Sequence, residues 1–175
     1  MKRLALAALA LGAAQAAQAQ SMNVPLITER VVRDICAPFI ETGDMWPAIS
    51  AAGSAGYRVV QVWPAHIRVG AASAQPEPSE IELRGDHAGT VRMRDEYGLL
   101  ACSVGVPEGG VGRIAAAAEP HLRTFGYAPA LDDRSGATAL SVWRGGGRQA
   151  VIARSTEFRP GAELVMTGPA PDQAD

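Results

Sequence analysis

The 175-residue chain is 47% hydrophobic and 19% charged, with 16 Lys and Arg against 18 Asp and Glu. That slightly acidic balance lacks the basic excess that nucleic acid or an anionic lipid surface selects, so neither is expected as a partner. The apolar fraction is that of an ordinary globular core, and residues 20–175 fit one domain able to bury most of its apolar surface.

The chain opens Met1-Lys2-Arg3, runs without charge through LALAALALGAA from Leu4 to Ala14, and reaches Ala17-Gln18-Ala19. A basic end, a short apolar stretch and a small-residue A-x-A site are the parts of a Sec-type signal peptide over residues 1–19, cleaved near Ala19. The apolar run falls short of the roughly 20 residues that span a membrane. No cysteine stands where a lipid anchor would attach. A periplasmic or secreted protein is therefore expected, with no membrane insertion after cleavage. Losing Lys2 and Arg3 takes the formal charge from −2 to −4.

Residues 20–26 read as a flexible N-terminal segment. Val31/Val32, Ile35/Cys36 and Phe39/Ile40 then recur every four residues, which predicts a helix with Cys36 on its buried side and a kink from Pro38 near its end. Asp44 is a suitable N-cap for a second helix carrying Trp46 and Ile49 inward and closing at Gly56. Residues 57–63, YRVVQVW, have the β-branched and aromatic content of a strand, which Pro64 ends. The Pro- and Ser-rich stretch 70–80 reads as an exposed loop.

Ile81 and Leu83, then Val91 and Met93, then Leu100, Cys102, Val104 and Val106 alternate with period two, predicting three strands of an antiparallel meander. Turns are expected at residues 85–89 and 95–98. Val111, Ile114, Ala118, Leu122 and Phe125 mark one face of a further helix, bent by Pro120 and closed by Gly126. Strands follow over residues 138–144, 149–156 and 162–167, joined by Gly145-Gly146-Gly147 and Arg159-Pro160-Gly161. The order predicts a two-layer α+β domain, with helices on a largely antiparallel sheet of about six to seven strands. Gly56-Tyr57 and Gly126-Tyr127 each follow a helix, a short echo suggestive of two related half-units.

Cys36 and Cys102 are the only cysteines, and in an oxidising compartment they are expected to pair. The long loop so closed is worth about 4 kcal/mol in the chain-entropy model. Cys102 has no basic neighbour to activate a thiolate, which argues for a structural bond over a reactive thiol.

No motif names a reaction. Gly110-Val111-Gly112-Arg113-Ile114-Ala115 fits G-x-G-x-x-A, with Asp132 and Asp133 about 20 residues on, where a ribose-binding acid belongs. Pro107-Glu108 separates these glycines from the strand, and the flanking pattern is antiparallel, so they read as a strand-to-helix turn and no cofactor is expected. His66, His87 and His121 share no metal-ligand spacing, and no metal is expected. Asp86-His87 and Asp95-Glu96 sit in turns, where such residues serve local hydrogen bonds. Ser54 lies at a helix end, outside any nucleophile elbow. Trp63 and Trp143 occur in strands whose other face carries valines, so each is expected to stand half exposed, forming a candidate binding surface.

An Ala-rich leader, an early Ile-Cys in the first mature helix and a second cysteine in a central strand resemble the layout of small exported proteins of Gram-negative bacteria. The expected role is a non-enzymatic binding module acting on another envelope protein through a sheet face or a helix-edge groove. A narrower form is an inhibitor of a periplasmic or cell-wall hydrolase. The alternative is a small periplasmic enzyme using Asp86, His87 and His121 as an acid/histidine site, and oligomeric state is left open. Intact-mass measurement of exported material should show loss of residues 1–19 and no thiol available to alkylation. A mass retaining Met1 would end the export reading.

Overall fold

A computed structural model describes residues 23–63, 78–85, 89–157 and 161–171. The first helical stretch is α1 (Val24–Arg30), a π-helical segment (Val31–Cys36) and α2 (Ala37–Thr42), followed by α3 (Met45–Ser54). Four strands come next: β1 (Tyr57–Trp63), β2 (Glu80–Gly85), β3 (Thr90–Glu96) and β4 (Leu99–Val106). After α4 (Val111–Thr124) come β5 (Ala128–Asp133), β6 (Leu140–Gly145), β7 (Arg148–Arg154) and β8 (Ala162–Pro169).

The first helix begins earlier than expected. Asn23 caps it by accepting the Leu26 N–H at 3.2 Å, and Val24 is buried, so residues 24–26 belong to the fold and not to a flexible lead. Nor does Pro38 break it. Pro38 has no N–H to return to the carbonyl four residues back, and just before it the chain widens to π spacing, the Ala37 N–H reaching Val32 O. Asp44 does cap α3, accepting the Trp46 N–H at 2.9 Å. That geometry turns Met45, Ala48 and Ala52 inward and leaves Trp46 52% exposed, the reverse of the expectation for Trp46.

All eight strands form one antiparallel sheet in the order β1-β2-β3-β4-β8-β7-β6-β5. The strand beyond the expected number is β5, an edge strand exposed at every position. Its sequence, APALDD, hides it, because Pro and Asp disfavour strands except at an edge. Polar contacts hold it instead: Asp132 accepts from Ser141 Oγ at 3.0 Å, and Arg134 bridges Asp132 and Glu119 of α4 at 2.7 and 2.9 Å.

The units α3-β1-β2-β3-β4 and α4-β5-β6-β7-β8 follow the same path, so the chain is a doubled half-unit. Gly56 (φ 86°) and Gly126 (φ 80°) take the left-handed conformation that ends each helix, a position where a Cβ is strained. The first strand of each half shifts register at the same place, between Val59 and Gln61 and between Pro129 and Leu131. At the centre, β4 and β8 pair from Leu99↔Pro169 to Val106↔Ala162. Exchanging the halves swaps Cys102↔Met166 with Val104↔Leu164, which places a pseudo-two-fold axis at Ser103↔Val165.

One face of the sheet meets the helices. Ile81, Leu83, Val91, Met93, Val104, Ile152, Leu164 and Met166 are fully buried there with Val31, Ile35, Phe39, Ile114 and Leu122. Cys36, on the π segment, is bonded to Cys102 of β4 with 5.3 Å between Cα atoms. The bond ties the helical layer to the middle of the sheet across 66 residues, about 4 kcal/mol by loop entropy.

Tyr57 and Tyr127 occupy equivalent places after the two glycines, and both hydroxyls are buried without a hydrogen-bond partner among the described residues. Burial pushes the Tyr57 phenol well up and Tyr127 up to about 12; for Tyr127, Arg148, 5.3 Å from the ring, opposes this and Glu41 adds to it. Both folded-state values lie above the unfolded value near 10, so the stabilisation is complete below about pH 10 and lost as pH rises through the folded values. Lys2 is the sole lysine, so the tyrosines dominate this window. Urea midpoints should fall above about pH 10, and Tyr57→Phe/Tyr127→Phe should remove most of that fall at little or no cost at pH 7. Identical alkaline profiles for the two proteins would refute the assignment.

Candidate interaction surface

Among the described residues no helix covers the second face of the sheet, and its two halves differ. On β2 and β3 it is a ladder of charges. Glu80 meets Arg94 at 3.1 Å, Glu82 meets both Arg84 and Arg92 at 3.1 Å, and Arg92 makes a bidentate pair with Glu157 at 3.1 Å. Glu157, and then Glu82, hold the Arg92 guanidinium above its ordinary range against the opposing effect of burial. The ladder satisfies itself.

Exchanging the halves superimposes Glu80, Glu82 and Arg84 on Leu140, Val142 and Arg144, and Arg92 and Arg94 on Val151 and Ala153. The cross-strand pair Glu82↔Arg92 becomes Val142↔Val151, and Glu80↔Arg94 becomes Leu140↔Ala153. Across the second half a row Ser103–Val165–Val151–Val142–Leu131 runs from strand to strand. Val165, Val151 and Val142 are half-buried, and Leu131 is 49% exposed. From β4 to β6 this uncharged zone measures about 15 Å, and along the strands about 14 Å. An antiparallel sheet with one solvated face normally alternates apolar-in with polar-out. The first half does so. The second half does not, although its helix-facing side is built alike.

The expected tryptophan surface needs correction. Trp143 is fully buried: it lies on the helix-facing side of β6, its Nε1 donates to Ser141 Oγ at 2.9 Å, and the Arg123 guanidinium of α4 sits 5.3 Å from its ring. The faces of β6 are the reverse of those expected, with Val142 outward and the tryptophan inward. Trp63, on the edge strand β1, is half-buried, while Val59, Val60 and Val62 of that strand are 42–53% exposed.

His66, Asp86 and His87 lie outside the described residues. His121 is on α4 with Nε2 3.7 Å from Glu29 of α1. Asp95 accepts the Gly98 N–H at 3.1 Å within the β3–β4 turn. Ser79, Glu80, Arg94, Asp95, Glu96 and Tyr97 line a shallow concavity beside that turn. Gly110 caps α4 in an extended conformation, and the strands on either side of α4, β4 and β5, lie at the centre and edge of an antiparallel sheet, unlike the adjacent parallel strands of a dinucleotide fingerprint. Among the described residues no three His, Cys, Asp or Glu side chains gather as metal ligands, and no helix is long and apolar enough to cross a membrane.

No family model, curated protein or solved structure matches this chain.

The outer valines of β6 and β7 were masked in the sequence by their resemblance to core strands, and the signal is visible only once the halves are superimposed. Val142→Glu/Val151→Arg, which writes the Glu82–Arg92 pair onto the second half, should leave unfolding free energy within about 1 kcal/mol of the parent. A loss of several kcal/mol in urea titration would mean that the valines serve the core.

Proposed function

We propose that this protein is an exported, disulfide-bonded, non-enzymatic binding module that engages another protein of the envelope through the outer face of β6, β7 and β8. The observation that carries this reading is the contrast between equivalent outer positions, Glu82 and Arg92 in one half and Val142 and Val151 in the other. Uncharged sheet rimmed by polar residues is the anatomy of a protein-binding patch. Its twin shows how the same backbone is finished for water.

A buried disulfide and a continuous core support a rigid scaffold, which lowers the ordering cost of association. Inhibition of an envelope hydrolase is a special case, which the same surface would serve. The test is quantitative affinity capture from native envelope extract, with the parent protein and Val142→Glu/Val151→Arg as paired baits. One stoichiometric protein retained by the parent and lost by the folded variant is the expected result. Equal capture by both would move the interaction off this face.

A further inference from the structure

The apolar outer face also carries two unspent charges. Arg144 of β6 and Glu163 of β8 have no hydrogen-bond or ion-pair partner among the described residues, whereas the charged ladder of the other half is paired. Through the register, Arg144 stands beside Gln149 and Glu163 beside Ala153, two residues to either side of Val151 on β7. They therefore occupy diagonally opposite corners of the patch with Val151 midway. With strands about 4.8 Å apart and same-face residues about 6.8 Å apart, each charge is roughly 8 Å from Val151 and roughly 17 Å from the other.

Opposite charges placed symmetrically about an apolar centre form a self-complementary surface. We infer that this face also docks a second copy of the chain, in competition with the envelope partner, an inference that rests on the reading of the face as an interaction surface. A two-fold axis lying in the plane of the interface, through Val151 and perpendicular to the line from Arg144 to Glu163, sets Arg144 of each copy over Glu163 of its partner. Val151 then packs on Val151 at the centre, as an isologous contact requires. The strands of the two copies cross at about 70°, near the orthogonal class of sheet packing. The patch is small against the roughly 800 Å² that each partner buries in a standard interface, so the dimer is a weak one.

The test is sedimentation equilibrium of the purified protein, disulfide intact, from micromolar to millimolar concentration. Weight-average mass is expected to climb toward twice the monomer value. Arg144→Glu and Glu163→Arg should each raise Kd about tenfold or more by opposing like charges, and Arg144→Glu/Glu163→Arg together should restore it. Near-UV circular dichroism establishes that each variant is folded. A parent that stays monomeric throughout overturns the inference, as does a dimer indifferent to the single reversals. If Val142→Glu/Val151→Arg still abolishes capture of an envelope protein in that event, the face binds a different protein and the broader reading survives. If capture is also unchanged, both fall.

Discussion

Everything in this molecule hangs on the antiparallel pairing of β4 with β8. Each half-unit alone would be a four-stranded sheet with one long edge of unsatisfied backbone, and the central pairing from Leu99↔Pro169 to Val106↔Ala162 joins those edges to each other. The helical layer is then fixed to that seam by the Cys36–Cys102 bond, and Ile40 of α2 packs against Gly168 on the β8 side of it. Core, covalent link and pseudo-symmetry axis meet within a few residues. A disturbance there is felt by both halves at once, whereas the outer strands depend on it and not it on them.

Doubling separates what the architecture needs from what it leaves open. Positions facing the helices are apolar in both halves: Ile81 and Leu83 answer to Ser141 and Trp143, Val91 and Met93 to Ala150 and Ile152, Cys102 and Val104 to Leu164 and Met166. Of these positions Ser141 is polar, and its hydroxyl accepts the Trp143 indole N–H and donates to Asp132. Outward positions obey no such rule, and the two halves have gone opposite ways. The chain thus contains its own comparison.

Much of the scaffold was legible in the residues. Four-residue spacing placed Cys36 inside, Asp44 capped its helix, and strict alternation located β2, β3 and β4 with their buried faces. Failures came where two signals competed. In β6, LSVWRG, either Val142 or Trp143 has the hydrophobicity to face the core, and period two alone cannot choose; the pocket under α4, with Ser141 to satisfy the indole, decided it. Trp46 was misplaced because cap geometry, and not hydrophobicity, sets which residue of the first turn points inward. β5 carries Pro129, Asp132 and Asp133 and owes its strand to neighbours. The outer patch is a relation between distant segments, 140–142, 151–153 and 163–165, and no local window contains it.

The matched register shifts on β1 and β5 have a bearing on how the molecule survives at high concentration. β1 would otherwise be a hazardous border, a β-prone run with Val59, Val60 and Val62 open to solvent at the limit of a sheet. The shift between Val59 and Gln61 interrupts the regular spacing of its outward N–H and C=O groups, and the same irregularity recurs at the far border between Pro129 and Leu131. A neighbour seeking to extend the sheet sideways finds a broken ladder on either flank. Uncontrolled fibre-like growth is thereby discouraged at both ends.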